Sequence, residues 1–338
     1  MGDQRQNTTI YLAERPEYGI VPGRTFASKT EPAPTVDQLK DGEVLVETLY
    51  LSLDPSMRGI RFLELISTTA DRKSYMPPVA IGQKMLGGAV SRVLGSKSAK
   101  AKSGDIVFSF SGWTEVAIVP EAAVDPIQVP PGRPATDILF AAINGGPGPT
   151  AYIGLNNIAN IKKGDTVVVS TAAGGNGPIV GQLAKLYGAG RVIGLTGTDQ
   201  KCDWLRREVG NGFDVALNYK SPTFVQDLEA ATPDEVDVYW DNVGGQLLDT
   251  MLTRAAKNSR FVICGGISQY NTPLEERWGS RIQLRWARSG SGWRVGGGGE
   301  AQGVQHGAQG GIKEAESALV KMFEGENVGK LSLEVKAI

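Results

Sequence analysis

The stretch from Val167 to Gly181, which reads VVVSTAAGGNGPIVG, constrains the fold of this chain most strongly. Its three β-branched valines predict a buried strand, its glycines predict a turn, and apolar residues recur at helical spacing after Pro178. Proline suits the first turn of a helix, because its missing N–H would have no partner there. Strand, glycine turn and helix together predict a parallel βαβ unit.

The glycine turn also predicts what this unit binds. The backbone at Gly174, Gly175 and Gly177 can approach a ligand closely, and the first N–H groups of the next helix attract phosphate. The spacing Thr171-x-x-Gly174-x-x-Gly177 departs from the usual G-x-G-x-x-G, and a tight turn without a ligand is the alternative interpretation. Because a strand precedes the turn and a helix follows it, we predict a dinucleotide-binding site.

Length and charge narrow the class of protein. A chain of 338 residues is long enough for two domains. Its net charge of −1, with both signs mixed, predicts no broad basic face and so no nucleic acid or membrane partner. No apolar run is long enough to span a bilayer, and the polar N-terminus lacks a signal core. We therefore expect a cytoplasmic protein.

Cysteine and histidine are scarce. The chain has two cysteines, Cys202 and Cys264, and one histidine, His306. Zinc needs three or four protein ligands from Cys, His and carboxylate side chains, and the sequence offers no such set, so we predict no metal. The single histidine lies in a glycine-rich run, which also argues against a hydrolase with a histidine base.

Strands and helices alternate regularly from Thr166 to Gly266, which predicts an α/β fold with a parallel sheet and helices on both faces. Residues 1–130 are rich in short strands and turns, such as Glu43–Leu53, and predict a compact β domain. Between these regions we expect helices at Ala135–Ile143 and Ala151–Asn160.

The segment Arg288–Gly311 differs from the rest of the chain. It is rich in glycine, and Val295 and Val304 are its only large aliphatic residues. It therefore shows no strand or helix periodicity, and ordering it would cost much backbone entropy. We predict a flexible loop, followed by an amphipathic helix and a final strand.

The second strand of the predicted sheet indicates which dinucleotide is bound. NAD enzymes place Asp or Glu at its end, to bind the ribose 2′-hydroxyl. Here the strand ends at Thr196, the first carboxylate is Asp199 beyond the turn, and Lys201 follows. A 2′-phosphate is attracted to lysine and hydroxyl groups and repelled by carboxylates. We therefore predict NADPH, with Thr196 and Lys201 among its contacts; a solvated lysine is the alternative.

Nine motifs resemble one protein family. They are LYLSLDPSMRG (49–59), SYMPPVAIG (74–82), PGPTAY (147–152), STAAGGNGPIVGQLAK (170–185), LTGTDQKCDWL (195–205), FDVALNYK (213–220), DNVGG (241–245), CGGISQYN (264–271) and FEGENVGK (323–330). In this order they resemble the zinc-independent medium-chain dehydrogenases/reductases. Within that superfamily they resemble the group of prostaglandin reductases, plant alkenal double-bond reductases and curcumin reductases.

The resemblance implies both a fold and an activity. It implies a GroES-like β domain from both chain ends, with a Rossmann domain, a doubly wound parallel sheet, between them. The domains are then expected at 1–130 and 131–311, with 312–338 returning to the first. The resemblance also implies a homodimer and NADPH-dependent reduction of the C=C bond in small enals and enones.

The resemblance further implies roles for individual residues. The turn glycines would hold the pyrophosphate, while Lys201 and Tyr219 would hold the 2′-phosphate. Thr150, Asn242 and Asn327 would contact other parts of the cofactor. Asparagine also stabilises turns through its own side chain, so a turn role is the alternative for both asparagines.

Three tyrosines are the candidate catalytic residues that the resemblance implies: Tyr50, Tyr75 and Tyr270. A tyrosine O–H that donates to the substrate carbonyl would stabilise the enolate formed when hydride reaches the β-carbon. Core packing is the alternative for Tyr50, and anchoring of a loop is the alternative for Tyr75. Tyr270 follows a glycine turn at the carboxyl end of a strand, which favours a functional role.

One segment departs from the family pattern. After the SQYN motif the chain is shorter than in the family, and residues 284–311 lack the family's apolar pattern. This segment would contribute to the subunit interface and the pocket wall.

Two alternative functions stand beside the enone reductase. One is an NADPH quinone reductase of the same superfamily, and the other is an NADPH-binding protein whose catalysis is impaired by the altered segment.

Overall fold

The computed structural model describes residues 5–16, 19–55, 57, 79–127, 131–132, 146–273, 276 and 305–336. Contacts divide the chain into two compact units, one containing Met1–Gly146 and Gln305–Ile338 and the other Pro147–Val304. These boundaries differ from the expected ones, which lay after residues 130 and 311. Within the described ranges, no helix is both long and apolar enough to cross a membrane.

The N-terminal part of the first unit is built from antiparallel strands. They are β1 (Gln6–Leu12), β2 (Phe26–Pro32), β3 (Glu43–Ser52), β4 (Ala89–Ser96), β5 (Ile106–Ser109), β6 (Val116–Pro120) and β7 (Val124–Pro126). β1 pairs with β2, while β3 pairs with both β4 and β6. β3 is buried along most of its length, and its apolar residues are interrupted by the buried polar residues Glu47 and Thr48.

The second unit is a parallel α/β sheet. Its elements are α1 (Pro147–Ile153) with a π-helical turn (Gly154–Ala159), β8 (Thr166–Ser170), α2 (Gly177–Leu186), β9 (Arg191–Thr196), α3 (Asp199–Glu208), β10 (Val215–Asn218), α4 (Phe224–Ala231), β11 (Val236–Asp241), α5 (Gly245–Thr253) and β12 (Ala255–Ile263). The strand order is β10-β9-β8-β11-β12, and every neighbouring pair is parallel. The direction of strand addition therefore reverses between β8 and β11.

Buried side chains attach helices to both faces of this sheet, as predicted. On one face, Val168 and Tyr239 pack in a cluster to which α4 and α5 contribute Leu228 and Leu248. Trp240 points to the opposite face, since successive residues of a strand alternate. There it meets the π-helical turn so closely that a Cβ atom at Gly154 would lie 2.5 Å from its ring.

The chain then returns to the first unit through β13 (Gln305–Ala308), α6 (Ala315–Glu324) and β14 (Lys330–Glu334). β13 lies parallel to β14, which pairs antiparallel with β3. The predicted flexible loop over residues 288–311 is therefore wrong for β13. Backbone pairing with β14 orders Gln305–Ala308, which has no apolar periodicity for the sequence to show. Residues 288–304 lie outside the described part of the chain.

Two further predictions of helix boundaries are wrong. α1 begins at Pro147, before the expected start at Ala151, and the helical segment ends before Asn160, which has a left-handed φ of 43°. The apolar spacing over Gly245–Ala256 predicts a helix that runs to Ala256, but β12 begins at Ala255, because Ala255 pairs with Val236 of β11. The predicted helix at Ala135–Ile143 lies outside the described residues.

A buried ion pair anchors the C-terminal return. Lys330 is 3% exposed, and its Nζ donates to Leu53 O at 2.5 Å and to Asp54 Oδ1 at 2.6 Å. Ser52 Oγ donates to the other carboxylate oxygen of Asp54 at 2.8 Å. These contacts join the end of β3 to the start of β14.

Candidate functional site

The carboxyl ends of four neighbouring strands carry most of the predicted cofactor residues. The glycine turn follows β8, Lys201 follows β9, Tyr219 follows β10 and Asn242 follows β11. In an open parallel sheet, ligands bind at this edge, where the order of the strands reverses. The structure thus brings these predicted residues to one edge of one sheet.

The junction of β8 and α2 requires glycine at position 177. A Cβ atom there would lie 2.5 Å from the carbonyl oxygens of both Thr171 and Ala172. The turn itself is tight, since Gly174 N donates to Thr171 O at 2.8 Å and Thr171 has a positive φ of 51°. Gly175 is half-buried in the same turn. This close backbone approach positions the first turn of α2.

The N-terminus of α2 has the character of an anion site. Pro178 lies in its first turn, which contains no acidic residue, and the N-cap residue Asn176 makes no capping hydrogen bond. The Asn176 amide instead donates to Asn242 Oδ1 at 3.2 Å and to Cys264 Sγ at 3.3 Å. The partial positive charge of the helix end is therefore not offset by a side-chain cap, and it fits a pyrophosphate.

Asn242 ties β11 to β8 rather than projecting from the edge. Its Nδ2 donates to Ser170 O at 2.8 Å, while its Oδ1 accepts from Asn176. These contacts are those expected of a turn residue. Beside it, burial raises the pKa of the Cys264 thiol to about 11, so this cysteine is neutral and weakly nucleophilic at neutral pH.

Two lysines meet where β9 and β10 end. Lys201 lies in the first turn of α3 and Lys220 follows β10; we call them the lysine pair. Burial lowers the pKa of the Lys201 amine, and the charge of Lys220 lowers it further. The hydroxyl of Tyr219 lies beside them, since a Cβ atom at Gly197 would be 3.2 Å from Tyr219 Oη and 3.6 Å from Lys220 Cε. Two ammonium groups and a hydroxyl suit a phosphate group.

The carboxylate and the threonine near the lysine pair are both held by other groups. Asp199 Oδ1 accepts from Asn218 Nδ2 at 2.9 Å. Thr196 is 2% exposed, and its hydroxyl donates to Thr198 O at 2.9 Å and lies 3.0 Å from Cys202 Sγ. The Thr196 side chain therefore lies in the interior, and its predicted cofactor contact stays a prediction.

Lys220 is a residue at this edge that the sequence pattern did not single out. Its signal was its position next to Tyr219, directly after the third strand of the sheet. Because β10 is parallel to β9 and adjacent to it, residues after both strands meet at the same edge. The pattern of the second strand alone could not reveal this neighbour.

Tyr270 lies just after β12, beyond the short helical turn Ile267–Gln269. Its hydroxyl oxygen accepts a hydrogen bond from Gly266 N at 3.1 Å. This bond fixes the position of the phenol oxygen beside the glycine turn. The predicted role of Tyr270 in enolate stabilisation stays a prediction.

The contacts of Tyr50 and Asn327 do not indicate a role in the site. Tyr50 packs against the Val90–Phe108 cluster, and burial, followed by the charge of Glu334, raises the pKa of its phenol. Asn327 Nδ2 donates to Gly329 O at 2.9 Å, as a turn residue does. Both arrangements match the alternative interpretations of these side chains.

The remaining predicted residues are Thr150 and Tyr75. Thr150 is half-buried in α1. Tyr75 lies outside the described residues. Among those described, no group of three or more His, Cys, Asp and Glu side chains could hold a metal ion.

Comparison with known proteins identifies related chains. A model for the N-terminal domain of oxidoreductases matches residues 8–127, and one described as a zinc-binding dehydrogenase matches residues 175–292. The chain is 38% identical to the NADPH-dependent curcumin reductase of Escherichia coli (strain K12), over 80% of this chain and 74% of the relative. It is 37% identical to prostaglandin reductase 1 of Bos taurus, over 86% of this chain and 89% of the relative.

A solved structure extends the likeness to the fold. The crystal structure of CurA in complex with NADPH from Vibrio vulnificus matches with a TM-score of 0.78 and 30% identity, covering 98% of this chain and 100% of that one. The two units correspond to the predicted GroES-like and Rossmann domains. The chain therefore belongs to the zinc-independent medium-chain dehydrogenases/reductases, in the group of prostaglandin, alkenal and curcumin reductases, and is an NADPH-dependent oxidoreductase.

Proposed function

We propose that this oxidoreductase reduces the C=C bond of α,β-unsaturated aldehydes and ketones. The observation that carries the proposal is the edge of the sheet that presents the lysine pair and the α2 N-terminus, because these match the 2′-phosphate and the pyrophosphate of NADPH. The similarity to reductases named for curcumin and prostaglandin supports an activated alkene as the substrate. We further propose the homodimer that the family resemblance implies.

The chain's own groups would hold the cofactor. Gly174, Gly175 and Gly177 let the backbone approach the pyrophosphate, and the lysine pair with Tyr219 would bind the 2′-phosphate. Thr150, Thr196, Asn242 and Asn327 remain proposed neighbours of the cofactor. When bound, NADPH supplies the hydride that reduces the β-carbon of the substrate.

A tyrosine hydroxyl would complete the reaction. As the β-carbon accepts hydride, negative charge develops on the carbonyl oxygen, and a donor aimed at that oxygen stabilises the charge. Tyr270 is our candidate, because it follows β12 at the carboxyl end of the sheet and its hydroxyl oxygen is held by Gly266 N. The α-carbon then takes a proton, from solvent or from a tyrosine, to give the saturated carbonyl product.

A product assay tests this function. NADPH oxidation is followed by absorbance with an enal, an enone, the matching saturated aldehyde and ketone, and a quinone. We expect turnover with the enal and the enone. Mass spectrometry should then show a product that has gained two hydrogens and kept its carbonyl group. Turnover of the quinone alone, or an alcohol product that kept its C=C bond, would contradict the proposal. NADPH binding without any turnover would support the impaired-protein alternative.

A further inference from the structure

A buried carboxylate lies beneath the point where the sheet reverses its strand order. Asp241 ends β11 and has no exposed surface. Its Oδ1 accepts hydrogen bonds from Val243 N and Gly244 N, both at 3.0 Å, and from Tyr239 Oη at 3.1 Å. Ser170 Oγ donates to Trp240 O at 3.1 Å and lies 3.4 Å from the same carboxylate oxygen. None of these groups around the carboxylate carries a positive charge.

The hydrogen bonds of Asp241 fix the turn that leads into α5. Gly244 N also lies 3.2 Å from Asp241 Oδ2, so one N–H contacts both carboxylate oxygens. Gly244 has a positive φ of 66°, a conformation that side chains disfavour and that needs local support. The carboxylate thus sets the direction of the chain as it leaves β11.

The same carboxylate is linked to the end of β8. Ser170 Oγ, beside Asp241, accepts from Asn242 N at 2.8 Å, and Asn242 Nδ2 donates back to Ser170 O at 2.8 Å. Asn242 in turn receives the amide of Asn176, the residue that precedes α2. A continuous chain of hydrogen bonds therefore joins Asp241 to the N-terminus of α2.

Burying the charge of Asp241 costs free energy, and a site with a structural role alone would avoid that cost. Burial raises the pKa of the Asp241 carboxyl, while its backbone and side-chain hydrogen bonds oppose that rise. A buried carboxylate without a cation is costly, and removing one of its donors leaves that cost uncompensated. Because this costly carboxylate lies at the edge of the sheet where ligands bind, we infer that its hydrogen bonds keep the turns at that edge in a fixed geometry.

We propose that Asp241 is a positioning residue, which through Ser170 and Tyr239 holds the turns after β8 and β11 in the arrangement that accepts the central part of NADPH. The inference rests on the proposed placement of the cofactor across the ends of these strands. Nothing in it requires Asp241 to touch the cofactor, since its hydrogen bonds go to the protein.

Two ligands separate positioning from general stability. NADPH would extend from the lysine pair across the ends of β8 and β11, whereas adenosine 2′-monophosphate, which lacks the 5′-phosphate that belongs to the pyrophosphate, would engage only the lysine pair and its surroundings. We expect Asp241→Asn to weaken NADPH binding by about tenfold or more, because an amide cannot accept the same set of donors. Binding of the monophosphate should change by less than about twofold. Fluorescence titration and calorimetry measure the two dissociation constants.

Asp165 provides a matched control. It is another buried carboxylate of the second unit, but it precedes β8 at the opposite edge of the sheet, where it binds Arg260. Asp165→Asn should lower the melting temperature and leave the ratio of the two dissociation constants unchanged. Binding of NADPH by the wild-type protein tests the cofactor placement separately from the role of Asp241.

The milder variants Tyr239→Phe and Ser170→Ala keep the carboxylate and each remove one donor. They should shift the ratio of dissociation constants in the same direction as Asp241→Asn, by a smaller factor. These two variants therefore test the positioning role of Asp241 even if the Asp241→Asn protein does not fold. A ratio that stays at the wild-type value in these variants, or that changes equally in Asp165→Asn, overturns the proposal.

Discussion

At the residue scale, the lysine pair is the proposed determinant of cofactor choice. Lys201 is partly buried, whereas Lys220 is exposed and adds a second positive charge. Two like charges at close range disfavour each other, and a bound dianion would relieve that repulsion. NADPH offers such a group on its adenosine ribose, and NADH does not.

Replacing Lys220 tests this arrangement directly. Lys220→Ala should raise the dissociation constant of NADPH by roughly tenfold, the effect of losing one charge-assisted contact, with little change for NADH. Fluorescence titration with both nucleotides gives the two constants. Lys163→Ala removes an exposed lysine of the same unit and should change neither constant. Equal weakening of NADPH and NADH by Lys220→Ala would exclude a 2′-phosphate role for this residue.

The sequence predicted one half of the lysine pair and not the other. Lys201 follows the second strand, where the position of cofactor-selecting residues is known from the motif. The contribution of Lys220 depends on β10 lying beside β9, and that is a property of the sheet rather than of any short motif. The roles of Asn242 and Asn327 stayed ambiguous for a related reason, because turn contacts and ligand contacts use the same amide groups.

At the scale of elements, the junction between β8 and α2 has no room for a side chain. Gly177→Ala would place a methyl group 2.5 Å from two backbone carbonyl oxygens, so the start of α2 must move. We expect a loss of about 1–3 kcal/mol in the free energy of unfolding, as for other overpacked sites. NADPH binding should weaken as well. Urea unfolding and nucleotide titration provide both measurements.

Gly19→Ala is the matched control for this prediction. No atom would lie within 4 Å of a Cβ at position 19, and the residue has no positive φ. The substitution should leave unfolding and NADPH binding close to those of the wild-type protein. A Gly177→Ala protein with the same behaviour would show that the junction adapts, and that its glycine is not required.

The sequence predicted the elements of the second unit well, because the central strands β8, β9 and β11 are buried along most of their length and appear as apolar runs. The boundary between α5 and β12 was missed, since pairing of Ala255 with β11 extends the strand through polar residues. β13 was missed for the same reason, because its partner β14 is a distant segment of the chain. Long-range ladders leave little trace in a local pattern.

At the scale of the whole molecule, Glu47 of β3 forms ion pairs with residues near both ends of the chain. Its side chain is 3% exposed, and it forms ion pairs with Arg5 and with Lys336, which are 42 and 289 residues away in the sequence. Arg92 of β4 lies 3.6 Å from its second oxygen. One carboxylate of β3 thus links Arg5, just before β1, to Arg92 of β4 and to Lys336 after β14.

This cluster makes stability depend on pH. Burial alone would raise the pKa of Glu47, but hydrogen bonds from Lys336 and Arg5 outweigh burial and lower it below its ordinary value of 4.5. A carboxylate with a lowered pKa in the folded state stabilises the fold above its unfolded pKa. That contribution is lost as the pH falls from 4.5 through the folded pKa.

The variant Glu47→Gln removes the charge and with it the pH dependence. We expect it to lower the free energy of unfolding by about 1.5–3 kcal/mol at pH 7, the usual contribution of hydrogen bonds to a charged group. The difference from the wild-type protein should shrink as the pH is lowered below 4.5, because the wild-type carboxyl then also becomes neutral. Urea unfolding at pH 7, 5, 4 and 3 gives the curve. Glu14→Gln alters an exposed ion pair with Arg24 and should have little effect at any of these values. A Glu47→Gln difference that stays constant down to pH 3 would mean that the charge of this carboxylate does not hold the chain ends together.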